Sequence, residues 1–227
     1  MSAALACIAP SLEFGWNASI VEWLAGLFMA PPSTNTVVSY RSGLGAKFFE
    51  TLADEPGCAA GVSRMRSAVM TEDSSVFVAR KLAVAFTQLF DGVGGSKTVS
   101  LYESAHVSES GRLFQAPVGN MEQLLRRSNV STDATFQEPS DHLSIELALL
   151  ARLMRQDPGH YAQAELLDDH LLVWLPTFAD RCSKTDRTGF YAGASSVVTG
   201  FLTAQRAALQ TNPTTKPNTG TTTCQID

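Results

Sequence analysis

Long apolar runs are missing from this sequence of 227 residues. No stretch reaches the roughly eighteen residues that a membrane-crossing helix needs, so no membrane span is expected. Basic residues are in short supply too, with 17 Lys and Arg against 22 Asp and Glu and a formal charge of −5. That balance argues against a nucleic-acid binder working through a basic face and favours a cationic partner over an anionic one. The cysteines, Cys7, Cys58, Cys182 and Cys224, are scattered with no C-x-x-C pair. Zinc sites and disulfide frameworks need tighter or more regular spacing, so four reduced thiols in a reducing compartment are expected. Residues 1–10 are apolar but lack a basic leading stretch, so they do not read as a secretory signal. Without such a signal, the sequons at Asn17 and Asn129 mean little. Alternating apolar and polar runs, the mark of half-buried strands, are absent as well.

What is present is helical periodicity. The hydrophobic fraction of 44% and charged fraction of 17% are those of a globular chain with a substantial core. Ile20, Trp23, Leu24, Leu27 and Phe28 form one apolar stripe, with Asn17 or Ser19 as its cap and Pro31-Pro32 as its terminator. A second helix is expected over 35–52, interrupted in pattern by Gly43 and Gly45, and a third over 58–70. Val78, Leu82, Ala85, Phe86, Leu89 and Phe90 make the strongest stripe of the first half, which runs out into the glycine-rich loop Asp91 to Ser96. A short helix over 121–127 precedes an irregular stretch to residue 137. Helices are then expected over 139–156, 161–183 with a kink at Pro176, and 189–209. The Thr-, Asn- and Pro-rich residues 211–227 read as a disordered tail. The expected fold is all-α, about eight to ten helices, in a larger part (1–136) and a smaller part (137–210) joined by a hinge.

Several groups invite a chemical reading. The loop Gly92-Val93-Gly94-Gly95-Ser96-Lys97-Thr98 superficially resembles a phosphate loop, but Asp91 and Ser96 occupy the two glycine positions of that frame. It also follows a helix where a phosphate loop follows a strand, so a helix-ending loop is the better reading. Glu103 and His106 form an E-x-x-H, His142 and Glu146 share a helix face, and Asp168-Asp169-His170 form a third group. A helical di-iron site needs two E-x-x-H motifs plus two further carboxylates on facing helices, and the chain has only this one E-x-x-H, near an apparent loop. The Asp168 group reads as a solvated helix face with one side-chain contact.

The segment Glu138-Pro139-Ser140-Asp141-His142-Leu143 stands apart. Proline disfavours helix in the residue before it, and Ser140 and Asp141 can offer oxygens to the free N–H groups of a starting helix. Leu143, Leu147, Leu150 and Met154 then continue at helical spacing. An adjacent carboxylate and imidazole thus sit at a helix entrance. Either Asp141 caps and His142 packs, or the pair forms a polar spot at the mouth of an apolar groove, able to take a guanidinium. The two readings are compatible.

Glu-Pro-x-Asp-His-Leu opening an apolar helix resembles the hinge motif of the TorD/DmsD/NarJ family, closest to its TorD/DmsD branch. Phe86-Thr87-Gln88-Leu89-Phe90-Asp91-Gly92 followed by Ser100-Leu101-Tyr102-Glu103 is similar to that family's other motif, an aromatic-bearing helix, a glycine loop and a Ser-x-Tyr. Gly111, Leu113 and Met121 fall where the family tends to continue. Residues 171–179 are similar to its penultimate helix, and Gly189-Phe190-Tyr191 to the start of its last. The likeness spans most of residues 20–209. It departs in lacking a proline just before Ser100 and in placing Ser140 where an acid is common.

This resemblance implies an all-helical cytoplasmic chaperone, not an enzyme, with no cofactor or metal of its own. Such a protein holds the twin-arginine signal peptide and apoprotein of a molybdopterin-containing oxidoreductase of the TMAO/DMSO reductase type until its cofactor is inserted before export. It would act as a monomer or a domain-swapped dimer, with no nucleic acid involved. The signal-peptide site implied comprises Phe86, Phe90, Gly92, Ser100, Tyr102, Glu138, Pro139, Asp141 and His142. Two other functions compete. One is a helical metal-dependent phosphohydrolase using Asp141, His142, Asp168, Asp169 and His170; the other is a non-catalytic helical adaptor.

Overall fold

The computed structural model describes residues 9–107, 116–130, 138–156 and 161–211. Cys7, Gly111, Leu113, Cys224, the expected boundary at 136/137 and the tail from 212 onward lie outside these residues. The described chain is helical throughout, and its one extended pairing is an isolated antiparallel bridge between Tyr102 and His142. An all-α fold is what the sequence pattern implies, and it is what the chain adopts.

The helices run in the order α1 (Ala9–Met29), α2 (Thr34–Arg41), α3 (Gly43–Asp54), α4 (Ala59–Val69), α5 (Ser75–Phe90), α6 (Ser104–Val107) and α7 (Ala116–Arg127). After the Glu138 segment come α8 (Leu143–Gln156), α9 (Tyr161–Leu166), a π-helical turn (Leu167–Leu171), α10 (Leu172–Thr185) and α11 (Phe190–Thr211). Several bounds differ from the sequence expectation, each for a local reason. α1 begins at Ala9, so neither Asn17 nor Ser19 caps it. The helix expected over 35–52 is two helices, because Ser42 is extended and Gly43 takes a positive φ of 67°. That left-handed conformation strains any residue with a Cβ. α5 starts where Ser74 Oγ accepts the Phe77 N–H at 3.3 Å, and it turns Val78, Leu82, Phe86 and Leu89 inward as its spacing implies.

The disturbance expected at Pro176 lies one turn earlier. Proline cannot donate to the carbonyl four residues before it and crowds that carbonyl. Here the helix widens just ahead of Leu172, whose N–H bonds back five residues to the Leu167 carbonyl. Residues 161–183 are therefore α9, a π turn and α10 rather than one kinked helix.

A single buried cluster joins residues from α1 to α11. α1 lies along α8, and α4 crosses α11 at very close range. Gly61 and Gly193 face each other at that crossing, where a Cβ on either would come within 2.6 Å of the other's carbonyl oxygen. Cys58 and Cys182 are buried and not disulfide-bonded, in line with the reduced thiols expected.

Gly193→Ala is accordingly expected to destabilise the fold by about 1–3 kcal/mol through overpacking. Gly26→Ala, on an open face of α1 with nothing within 4 Å, is expected to stabilise it by up to about 1 kcal/mol. Chemical denaturation of the two variants checks both signs at once.

Candidate functional site

Two chain segments distant in sequence are stitched together at the centre of the fold. Glu103 N–H donates to the Asp141 carbonyl at 3.0 Å, and Leu143 N–H donates to the Leu101 carbonyl at 2.8 Å. These two bonds flank the Tyr102–His142 bridge and set the Tyr102 ring edge-on to the His142 ring, 5.1 Å between centroids. Ahead of the bridge, Val99 N–H donates to the Leu89 carbonyl at 2.7 Å, so the strand-like piece is also tied to the end of α5.

A cleft of about 460 Å³ opens beside the bridge. Phe86 and Phe90, one helical turn apart on α5, meet at 5.1 Å and form much of its apolar side together with Phe28 and Met29 from the end of α1. Gly92, Thr98, Ser100 and Leu101 bring the loop side. The polar end carries the exposed acids Asp91 and Glu138, next to Tyr102 and His142. The Tyr102 hydroxyl donates to Glu138 Oε2. Burial, and then the neighbouring Glu138 carboxylate, push the Tyr102 hydroxyl far above its usual pKa, so it stays a donor.

Of the nine residues singled out from sequence, Phe86, Phe90, Gly92, Ser100, Tyr102, Glu138 and His142 line this one cleft. Pro139 and Asp141 do not. Pro139 contributes its carbonyl to the His142 N–H at 3.1 Å. Asp141 is fully buried, and its Oδ2 accepts the Ser104 N–H at 3.0 Å. It therefore caps α6, thirty-odd residues upstream, rather than its own helix. The cap of α8 is His142, whose Nδ1 accepts the Ser144 N–H at 3.2 Å, which is why α8 starts at Leu143 and not at Pro139. Phe28, Met29, Asp91 and Thr98 were not picked out as site residues. In the sequence Phe28 belongs to the first apolar stripe, and Asp91 spoils a phosphate loop and lies within the aromatic-helix motif, but neither signal marks a site residue.

Below the cleft lies a second polar group. His170 Nδ1 donates to Glu103 Oε2 at 2.8 Å, and Trp174 Nε1 donates to Glu146 Oε2 at 3.3 Å. His106 stacks on Trp174 and donates from Nε2 to the Ser100 carbonyl at 2.9 Å. The expectation of a solvated Asp168-Asp169-His170 face is thus only partly met. Asp168 is on the surface, paired with Arg206, and Asp169 is exposed, but the π turn carries His170 into the core.

Residues 53–180 match the family model described as nitrate reductase delta subunit. The chaperone protein TorD of Vibrio cholerae is 28% identical over 203 residues, covering 85% of this chain and 91% of that one. Those of Aliivibrio fischeri (29% over 197 residues, 82% and 91%) and Aeromonas salmonicida (28% over 198 residues, 82% and 88%) are similarly related.

The cap on α8 generates a pH dependence. Burial holds the His142 imidazole below its usual 6.5, and His106 is lowered for the same reason. As pH falls the unfolded chain takes up these protons first, so the stability is complete above about 6.5 and is lost on acidification below it. His142→Asn keeps an acceptor for the Ser144 N–H but cannot titrate. Urea midpoints at pH about 7.5 and about 5.5 are expected to move less in this variant than in the parent, and an equal movement counts against the assignment.

Proposed function

The chain belongs to the nitrate reductase delta subunit family, on its TorD branch, and on that footing we propose that it is a non-catalytic chaperone for redox-enzyme maturation. Its client is the apoprotein of a molybdopterin-containing oxidoreductase, bound in the cytoplasm through its twin-arginine signal peptide and held until the cofactor is inserted. The observation that supports this most is the cleft itself, aromatic along one side and acidic at one end. A twin-arginine signal offers the complementary order, guanidinium groups followed by an apolar stretch.

In this reading Glu138 and Asp91 take the guanidinium groups through charge-assisted hydrogen bonds. Phe86, Phe90 and Phe28 take the apolar stretch, much as helix-in-groove binders do. Gly92 and Ser100 leave the loop side low enough for a peptide backbone to approach. Tyr102 orients Glu138 through its hydroxyl. Asp141, Pro139 and His142 act behind them as positioning residues, fixing the bridge and the start of α8. The chain divides into 1–136 and 137–210 about the Glu138 segment, which serves as the hinge if two copies exchange their C-terminal parts.

A phosphohydrolase needs Asp141, His142, Asp168, Asp169 and His170 to converge around one substrate. Asp168 instead pairs with Arg206 at the surface, while Asp141, on the segment before α8, and His170, on the inner side of the same π turn, are buried. An adaptor with an unrelated partner predicts indifference to arginine pairs.

Calorimetric titration with signal peptides of molybdoenzymes from the same genome tests the proposal. One peptide is expected to bind stoichiometrically, and its Arg-Arg→Ala-Ala counterpart to bind at least about tenfold more weakly. Glu138→Gln, at an exposed position, is expected to cost about tenfold in affinity without changing the melting temperature. Binding that ignores both changes removes the acidic end from the mechanism, and failure of every peptide favours the adaptor.

A further inference from the structure

The buried polar group beneath the cleft has no task in peptide binding. Glu103, Glu146 and His170 come from three separate elements: the turn before α6, α8 and the π turn. Each is almost wholly buried, at 3%, 0% and 5% exposure. One donor atom from each lies within 4.8 Å of the other two. Among the described residues no lysine or arginine pairs with Glu103, Glu146 or Asp141.

Such a group needs positive charge. The Glu103 and Glu146 carboxyls stand side by side, and the nearby Asp141 carboxylate adds to the repulsion. Glu146 Oε2 has the Trp174 indole, but buried Glu146 Oε1 has no N–H or hydroxyl donor, and the Glu146 carboxyl lies within hydrogen-bond reach of the Glu103 carboxyl. Acceptor-only oxygens are not left facing one another in a core. Either a proton or a cation has to sit between them.

Three features favour the cation. Two carboxylates and a neutral imidazole are a donor set that first-row divalent metals take, and together they bring a 2+ ion to neutrality. The three atoms converge from independent elements, so they form a concave set rather than a row on one helix. The π turn, a kind of bulge often retained at functional sites, is what carries His170 inward. We infer that Glu103, Glu146 and His170 form a structural site for a divalent transition-metal ion of the zinc class. Trp174, itself 1% exposed, donates to Glu146, and all three ligands are buried, so the ion would lie inside the core and meet no substrate. It would hold Glu103, and with it the backbone of the bridge that carries Tyr102. The inference goes beyond the metal-free protein that the family resemblance implies, and it does not depend on the client reading.

The test uses the full, untagged chain unfolded and refolded either with Zn²⁺ or with a chelator, followed by gel filtration, elemental analysis and thermal melting. About one equivalent of zinc is expected to be retained, with a higher melting temperature than the chelator-refolded chain. Refolding with Co²⁺ is expected to give visible ligand-field absorption. Glu146→Gln and His170→Gln are each expected to retain less than about a tenth of an equivalent and to lose the zinc-dependent shift in melting. A wild-type chain that holds neither metal and melts identically in chelator overturns the inference, because a shared proton then neutralises the pair. Variants that retain zinc as well as the parent overturn it too. If the variants fail to fold, the wild-type metal content and Co²⁺ spectrum decide alone. Peptide binding is not the readout, so this result and the titration with signal peptides fail or succeed separately.

Discussion

Two backbone hydrogen bonds, Glu103 to Asp141 and Leu143 to Leu101, hold the interior of this protein in register. They are the only sheet-like pairing among the described residues, and they join a loop that follows α5 to the segment that opens α8. An extended pairing in a helical core exposes backbone groups that no helix satisfies, so its flanks need other partners. Asp141 supplies one by capping α6 at Ser104, and His142 supplies another by capping α8 at Ser144. Side chains at consecutive positions thus point to two different helix starts. The cleft above and the carboxylate group below both inherit their geometry from this stitch: Tyr102 faces one and Glu103 the other.

The arrangement carries an energetic cost. Three carboxyls within or beside the core cannot all stay charged without compensation, and burial drives Glu146 well above its ordinary pKa, with Glu103 adding to the effect. Replacing such a group by packed apolar side chains is often neutral or stabilising in other proteins. Its presence here therefore points away from stability for its own sake and toward fixing one backbone arrangement. A Leu at position 103 would bury as well, but it could not reach out to His170 and tie the loop to the π turn. The constraint also explains why α10 opens irregularly. An unbroken α-helix from Tyr161 would rotate everything beyond residue 167, and the π turn instead brings both His170 and Trp174 to the same polar group.

How much of this could be read from the sequence follows from the range over which each signal acts. The α5 stripe was legible because Phe86 and Phe90 lie four residues apart, and a helix necessarily puts them on one face. The Glu138 segment was legible as a helix opening because Pro139 and the following leucines are local signals. The identity of the cap was not. Ser140, Asp141 and His142 all offer acceptors, and only the pairing with Leu101 and Glu103, some forty residues away, decides which one faces α8. His170 was invisible for the same reason. In a run of Asp-Asp-His at the surface of a regular helix it would be solvated, and the one-residue widening that buries it has no local signature beyond Pro176. Glu103 sat in an apparent loop, where no periodicity exists to say which way it points. The start of α1 is not legible at Asn17 or Ser19, because a polar residue at the right spacing need not be a cap when the helix continues upstream of it.

The aromatic side of the cleft is also part of the core. Phe90 contacts Phe86, Phe28, Phe178 and Tyr191, with ring centroids between 5.1 and 6.2 Å, so a single ring serves α1, α5, α10 and α11 at once. Enlarging or shrinking it would disturb four helices, and close-packed interiors transmit such changes rather than absorb them. The rim is free of that constraint. Met29, Asp91 and Glu138 are exposed, and each projects from the end of a helix or from a loop. Changes of charge or size there leave the packing intact. Discrimination between one ligand and another can therefore vary at the rim while the aromatic side stays fixed. A cleft built in this way separates the surface that provides affinity for an apolar segment from the residues that choose which segment is held.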